Sequence, residues 1–385
     1  MSGIHARLGV KRRINAAGTL TRLGGSLMDE TVLDAMREAA RGSVDIGELQ
    51  SAASRAIAAA TGAEAGLVTS GAAAGLTLAA AACIAGLDVA RMARLPDTRG
   101  LRNEILMPRT HRNAYDHALR AAGAVLVDIG HNDRGTGAGI RGLETWEIEA
   151  AITPATVAFA FAANPENAGD LPAVVAVCRK HGLKVIVDAA AQLPPASNLS
   201  AFVTAGADLV VFSGGKAIGG PQASGILAGE RDLVASALLQ QLDMDVAPAR
   251  WAAPDLVDRA KVPVPPHHGI GRGFKVGKEE IVGLIVALER FVARDEAAAT
   301  AVLRKRLETI AAALPDRKTR IVPGRVATLE IETTDGPRAV AALLAGDPPV
   351  HVGERDVARG MLVVDLQAVR AEDDAALAAA LAMAT

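Results

Sequence analysis

The stretch GLKVIVDAAAQLPPASNLSAFVTAGADLVVFSGGKAIGGPQASGILAG, residues 182–229, decides the fold. It holds two short apolar runs, 183–187 and 209–212, rich in β-branched residues and closed by small or polar ones. Runs this short do not sustain a helix. They fit strands buried on both faces of a parallel sheet. The first run ends on Asp188 and the second on Ser213-Gly214-Gly215-Lys216. A carboxylate, a hydroxyl and an amine are therefore expected at the carboxyl ends of strands, where open α/β sheets place their ligands.

Those three groups suit pyridoxal phosphate. That cofactor needs a lysine amine to condense with its aldehyde, a carboxylate to keep its ring nitrogen protonated, and donors for its phosphate. Lys216 is the candidate amine, Asp188 the ring-nitrogen partner and Ser213 a phosphate donor, with Gly214 and Gly215 letting backbone come close. The plainer alternative makes Asp188 a strand-end cap and Lys216 a solvated loop lysine. A P-loop is excluded, because Ala217 follows Lys216 and Val210 stands where that motif needs its first glycine. Upstream, Gly66-Leu-Val-Thr69-Ser70-Gly71-Ala72 reads as strand, tight turn and helix start. The free N–H groups and dipole of such a helix suit a phosphate, so Ser70, Gly71 and Ala72 are the candidate cup.

VIVDAAAQLPP followed by FSGGKAIGGPQASGILAG resembles the fold-type-I pyridoxal-phosphate enzymes. Within them it is similar to the selenocysteine synthase group, in the short branch related to D-glucosaminate-6-phosphate ammonia-lyase. The Gly-Pro-Gln that the family carries after its lysine lies within Lys216-Ala-Ile-Gly-Gly-Pro-Gln222, and the likeness runs from Ile14 to about Leu288. It implies an α/β fold: a large domain with a mostly parallel seven-stranded sheet, plus a smaller C-terminal α+β domain. The expected boundaries are an N-terminal arm and helix packing with the small domain at 1–45, the cofactor domain at 46–250 and the small domain at 251–385.

The resemblance also implies roles. His111 takes the place of the ring that stacks on the cofactor's pyridine, with Tyr115, the only tyrosine, in reserve. Asn164 of the Asn164-Pro165 turn, and Gln192, would approach the cofactor's phenolic oxygen. Arg22, on an arm that reaches across a dimer, and Arg272 and Lys275 would hold an anionic substrate or phosphate. One of Arg355, Arg359 and Arg370 would take a substrate carboxylate. Lys216 would remove the Cα proton of an amino acid, its pKa lowered by burial and neighbouring positive charge, with Asp188 and His111 as its catalytic partners. A hydroxyl would then leave from Cβ, giving a 2-oxo acid and ammonia. Racemisation, β-replacement and transamination are the alternatives, and a homodimer or higher homo-oligomer is expected.

Composition agrees. With 385 residues the chain can bury about 75% of its unfolded surface. A net charge of −2 and 2% aromatic residues give no case for nucleic acid or an anionic membrane. Cys83 and Cys178, in apolar helical contexts, read as reduced core residues of a cytoplasmic protein. The opening MSGIHARLGVKRRINAAG has no apolar core, so no signal peptide is expected. Residues 65–87 carry no charge, yet Thr69-Ser70-Gly71 breaks them, which favours strand, loop and buried helix over a membrane span. Gly137-Ala-Gly139-Ile-Arg-Gly142 matches G-x-G-x-x-G, but it does not directly follow a strand and lacks the downstream acidic residue, so no dinucleotide site is expected. His267-His268 has no metal-ligand spacing, and no metal is expected.

Overall fold

The computed structural model describes residues 3–131 and 143–384. The Gly137–Gly142 loop lies outside the described residues. The chain forms two compact units, Met28–Val292 and Met1–Leu27 with Ala293–Thr385.

The larger unit is built on seven strands: β1 (Ala65–Thr69), β2 (Glu104–Pro108), β3 (Val125–Ile129), β4 (Thr156–Ala162), β5 (Lys184–Asp188), β6 (Leu209–Ser213) and β7 (Gly225–Gly229). Their order is β1-β7-β6-β5-β4-β2-β3. β7 is antiparallel to both neighbours, and the remaining pairs are parallel. Residues 183–187 and 209–212 are thus central strands, as their pattern predicts. Alternate residues of β6 join opposite cores: Leu209 and Val211 on one face, Val210 and Phe212 on the other. All four are fully buried, each contributing about 1.5–3 kcal/mol of burial. β7 is a strand the sequence does not announce. Two of its five residues are glycine, and although β6 is near in sequence, its other partner β1 lies over 150 positions away, so half of its pairing is a long-range event.

The charge-free segment 65–87 resolves into β1 and the helix Ala72–Ala85, most of it buried. Among the described residues no helix is long and apolar enough to cross a membrane. Among the described residues β1 has no strand partner on its outer edge, and two side chains take that place. Gln50 accepts from the Val68 N–H and donates to the Val68 carbonyl, and Ser54 accepts from the Gly66 N–H. The helix Ile46–Thr61 that carries them is capped by Asp45, which accepts from the Glu48 N–H, and ends at Gly62 with φ of 70°.

In the smaller unit, Ile14–Ala16 pairs in parallel with Val350–Val352. Thr319–Val322, Thr328–Glu332 and Met361–Val364 make a three-stranded antiparallel sheet with the middle segment at its centre. Leu307, Ile310, Leu343, Leu377 and Leu381 from three helices bury against it. Part of the expected arm is therefore a buried strand, with Ile14 and Ala16 in the core. The unit boundaries fall at 27/28 and 292/293, not at 45/46 and 250/251. Residues 28–45 go with the larger unit because Met36 packs on Gly283. Residues 251–292 do so because Trp251, Leu256, Val257 and Val262 fill one core, and Ile281, Leu284 and Leu288 the other.

Candidate active site

The strand register gathers the predicted groups at one rim of the sheet. Thr69, Gly225 and Ser213 are in-register neighbours across β1, β7 and β6. On the next strand Asp188 pairs with Val211, and beyond it Ala162 pairs with Asp188. The turns after β1, β2, β4, β5 and β6, which carry the candidate groups, open on this rim.

Lys216 sits in the turn after β6. That turn folds back so tightly that its glycines have no room for a side chain. A Cβ on Gly214 would lie 2.2 Å from Ser224 Oγ, and one on Gly215 2.6 Å from Gln222 Cα. Gly220 N–H donates to the Gly214 carbonyl and Gly219 N–H to the Lys216 carbonyl, each at 2.9 Å, which fixes the lysine's backbone. Burial pushes the Lys216 amine below the ordinary lysine value, and Asp188 pulls it back up. Burial likewise pushes the Asp188 carboxyl up, opposed by the Ala190 N–H, which donates to Oδ1 at 3.0 Å, and by Lys216. The two groups therefore feel each other. The lowering of Lys216 comes from burial, with a carboxylate as neighbour, where a neighbouring positive charge was expected.

The turn after β1 starts the helix Ala72–Ala85. Gly71 is its N-cap at φ 132°, a conformation open only to glycine, and no side chain caps the helix. No acidic residue lies in its first turn. A Cβ at Gly225 would fall 2.6 Å from Gly71 C and 2.8 Å from Ala72 N, so β7 passes directly beneath the cup. The Ser70 hydroxyl donates to the Phe274 carbonyl at 2.9 Å, which brings the exposed Lys275 to the same neighbourhood by chain continuity.

The turn after β4 is closed on itself. Asn164 Oδ1 accepts from the N–H groups of Glu166 and Asn167, and Asn164 N–H donates to Asn167 Oδ1. Gln192, buried, donates from Nε2 to the Ala163 carbonyl at 2.6 Å. His111 is buried, edge-on to Phe161 with ring centroids 4.7 Å apart, and within 2.9 Å of Asn167 Nδ2. Asn167 was not singled out in the sequence; only its spacing, three after Asn164, marks it. Tyr115 is exposed, yet it lines a cleft with Asp188, Phe161, Met107 and Ile186.

The candidate substrate arginines are distributed differently. Arg272 donates to Asp243 at 2.7 Å. Arg22 belongs to the smaller unit, 3.9 Å from Glu354. There Arg359 pairs with Asp356 and Arg370 with Glu372. Asp243, Asp245 and His268 present ligand atoms within 4.8 Å of one another, but they are exposed, and the Arg272 cation already sits on Asp243. Cys178 is fully buried, and burial pushes its thiol up to about 12, which leaves it protonated and inert.

The residues present fit pyridoxal phosphate: an uncapped helix start, with Gly225 packed so closely beneath it that no Cβ fits between, and a half-buried carboxyl close to a half-buried amine. A profile of the DegT/DnrJ/EryC1/StrS aminotransferase family matches residues 27–214. The chain belongs to the fold-type-I pyridoxal-phosphate-dependent enzymes. It is 31% identical over 388 residues to a 5'-C-glycyluridine monooxygenase-decarboxylase from a Streptomyces species, covering 95% of this chain and 88% of the relative. It is 32% identical over 296 residues to the D-glucosaminate-6-phosphate ammonia lyase of Salmonella typhimurium, covering 75% and 70%. A solved structure of a D-glucosaminate-6-phosphate ammonia-lyase superposes with a TM-score of 0.81 at 27% identity, over 100% of this chain and 98% of that one. An L-seryl-tRNA(Sec) selenium transferase of Geobacter metallireducens is 27% identical, and the chain spans 51% of its length.

Proposed function

We propose that this enzyme is a lyase that removes ammonia from a β-hydroxy amino acid, phosphorylated at its far end, and releases a 2-oxo acid. The observation that carries the reading is the meeting of Lys216 and Asp188 at the ends of adjacent strands, beside an uncapped helix start. Similarity to the ammonia-lyase in both sequence and fold supports it.

When bound, pyridoxal phosphate supplies an electron sink that acidifies the substrate's Cα–H. The chain's own groups do the rest. Lys216 Nζ, its basicity trimmed by burial, takes the Cα proton and delivers a proton to the departing hydroxyl. Asp188 holds a charge facing the ring nitrogen. The N–H groups of Gly71 and Ala72, with Ser213, bind the cofactor's phosphate. His111 packs against the ring. Asn164 and Gln192 brace the turns around it. Lys275, brought near the cup through Phe274, is the cation offered to an anionic substrate. Loss of the Cα proton and the Cβ hydroxyl, followed by addition of water and loss of ammonia, balances to the 2-oxo acid and ammonia. We further infer a cytoplasmic homo-oligomer, the usual form of the family.

The test is ammonia and 2-oxo acid release from phosphorylated sugar amino acids by wild type and Lys216→Ala. Turnover by wild type, abolished in Lys216→Ala with the circular dichroism spectrum unchanged, is the expected result. Retained turnover in the variant would refute the lysine's role. A second reading, oxidative decarboxylation, is favoured by the likeness to the monooxygenase-decarboxylase, which covers 95% of this chain and 88% of the relative. Oxygen uptake with release of carbon dioxide, and no ammonia, would select it.

A further inference from the structure

Asn167 Nδ2 lies 2.9 Å from the Ala162 carbonyl oxygen and 2.9 Å from His111 Nε2. Its Oδ1 lies 2.8 Å from the Asn164 backbone nitrogen. A carbonyl can only accept and a backbone N–H can only donate. Those two contacts therefore fix which end of the Asn167 amide carries hydrogen. One Nδ2 hydrogen goes to Ala162, and the other points at His111 Nε2. That ring nitrogen must then be an acceptor, so a neutral imidazole carries its hydrogen on Nδ1. A protonated ring would set N–H against N–H in a buried place, since His111 is 7% exposed and Asn167 5%.

We propose that Asn167 is a positioning residue that holds the His111 imidazole neutral, in the tautomer with hydrogen on Nδ1. The consequence for the cofactor rests on the pyridoxal-phosphate site described above. Asp188 would keep the cofactor's ring nitrogen protonated, which would place a positive charge at that nitrogen. A neutral imidazole can lie against it, whereas an imidazolium would repel it. Asn167 also anchors His111 to the end of β4 through Ala162, the residue in register with Asp188. The orientation of the ring and the position of its carboxylate counterpart are thus set by neighbouring strand ends.

The test is long-range proton–nitrogen NMR on the full, cofactor-loaded chain labelled at histidine ring nitrogens. The His111 signals are identified by their loss in His111→Gln. At neutral pH the expected pattern is a protonated Nδ1 and an unprotonated Nε2. Asn167→Asp, which offers an acceptor to Nε2, is expected to convert His111 to the doubly protonated form and to weaken cofactor binding about tenfold, one unfavourable charge contact. Asn167→Ala is expected to give a mixture of the two neutral tautomers. An Nε2-protonated ring in the wild type would overturn the proposal, and that result needs no variant to fold. A pattern unchanged in both variants would overturn it equally. The tautomer is read in wild type whether or not cofactor is bound, so failure of cofactor uptake would strike the site assignment while leaving the Asn167–His111 inference standing.

Discussion

Two turns of the larger unit follow buried parallel-facing strands and treat their polar groups in opposite ways. After β1, Gly71 starts a helix with no side-chain cap and no acidic residue in its first turn, so its N–H groups stay available. After β4, Asn164 and Asn167 spend their side chains on each other's backbone and on Ala162 and His111. The first turn is open and waits for an anion. The second is closed and holds a ring in place. The difference teaches that glycine and asparagine at a strand end are not interchangeable signals of a binding loop: one leaves donors free, the other uses them up.

That contrast can be broken at several points. The largest effect is expected from Gly225→Ala. Its Cβ would press on Gly71 and Ala72 backbone at 2.6 and 2.8 Å and displace the cup. Loss of one or two charge-assisted hydrogen bonds to phosphate should lower cofactor affinity about tenfold to hundredfold, read by absorbance titration. Unchanged affinity would mean that the phosphate does not sit there. Gly71→Ala comes next. A Cβ there meets nothing within 4 Å, so the cost is backbone strain alone, on the order of 1–3 kcal/mol in urea unfolding, with weaker cofactor binding.

In the closed turn, Asn164→Ala removes the acceptor for two backbone N–H groups. It should cost about 1–2 kcal/mol of stability and change cofactor affinity little. If affinity drops sharply while stability holds, Asn164 contacts the cofactor and the turn is not closed in the sense argued. The smallest effect is expected from Ser70→Ala, whose hydroxyl is turned to the Phe274 carbonyl. About 1 kcal/mol of stability, and no more than a few-fold change in cofactor affinity, should be lost. A larger affinity loss would make the hydroxyl a phosphate ligand.

Much of this was legible in the sequence. The runs that became β5 and β6, and the strand-turn-helix at 65–85, carry their own signatures: short β-branched segments, and a charge-free alanine stretch interrupted by Thr-Ser-Gly. Less legible were β7, one edge of which pairs with the sequence-distant β1, and the strand Val350–Val352, which pairs with Ile14–Ala16 at the other end of the chain. The unit boundaries were missed for a related reason. The segment after residue 250, with Pro254, Pro263, Pro265 and Pro266, looks like a linker until Trp251 and Val262 are found filling the core.

By itself the sequence determined which residue types stand at strand ends: Asp188, Ser213, Lys216 and the Ser70-Gly71-Ala72 turn. Covalent order places these within a few residues of an apolar run, and strand direction then puts them on one rim. Only the tertiary structure decided how they face one another. Strand order and register bring Gly225 under Gly71, the β4 turn brings Asn167 to a histidine 56 positions away, and burial pushes the Asp188 carboxyl up and the Lys216 amine down from their ordinary pKa values. Those are properties of packing, since hydrogen-bond polarity and desolvation depend on which groups meet in space and not on their spacing along the chain.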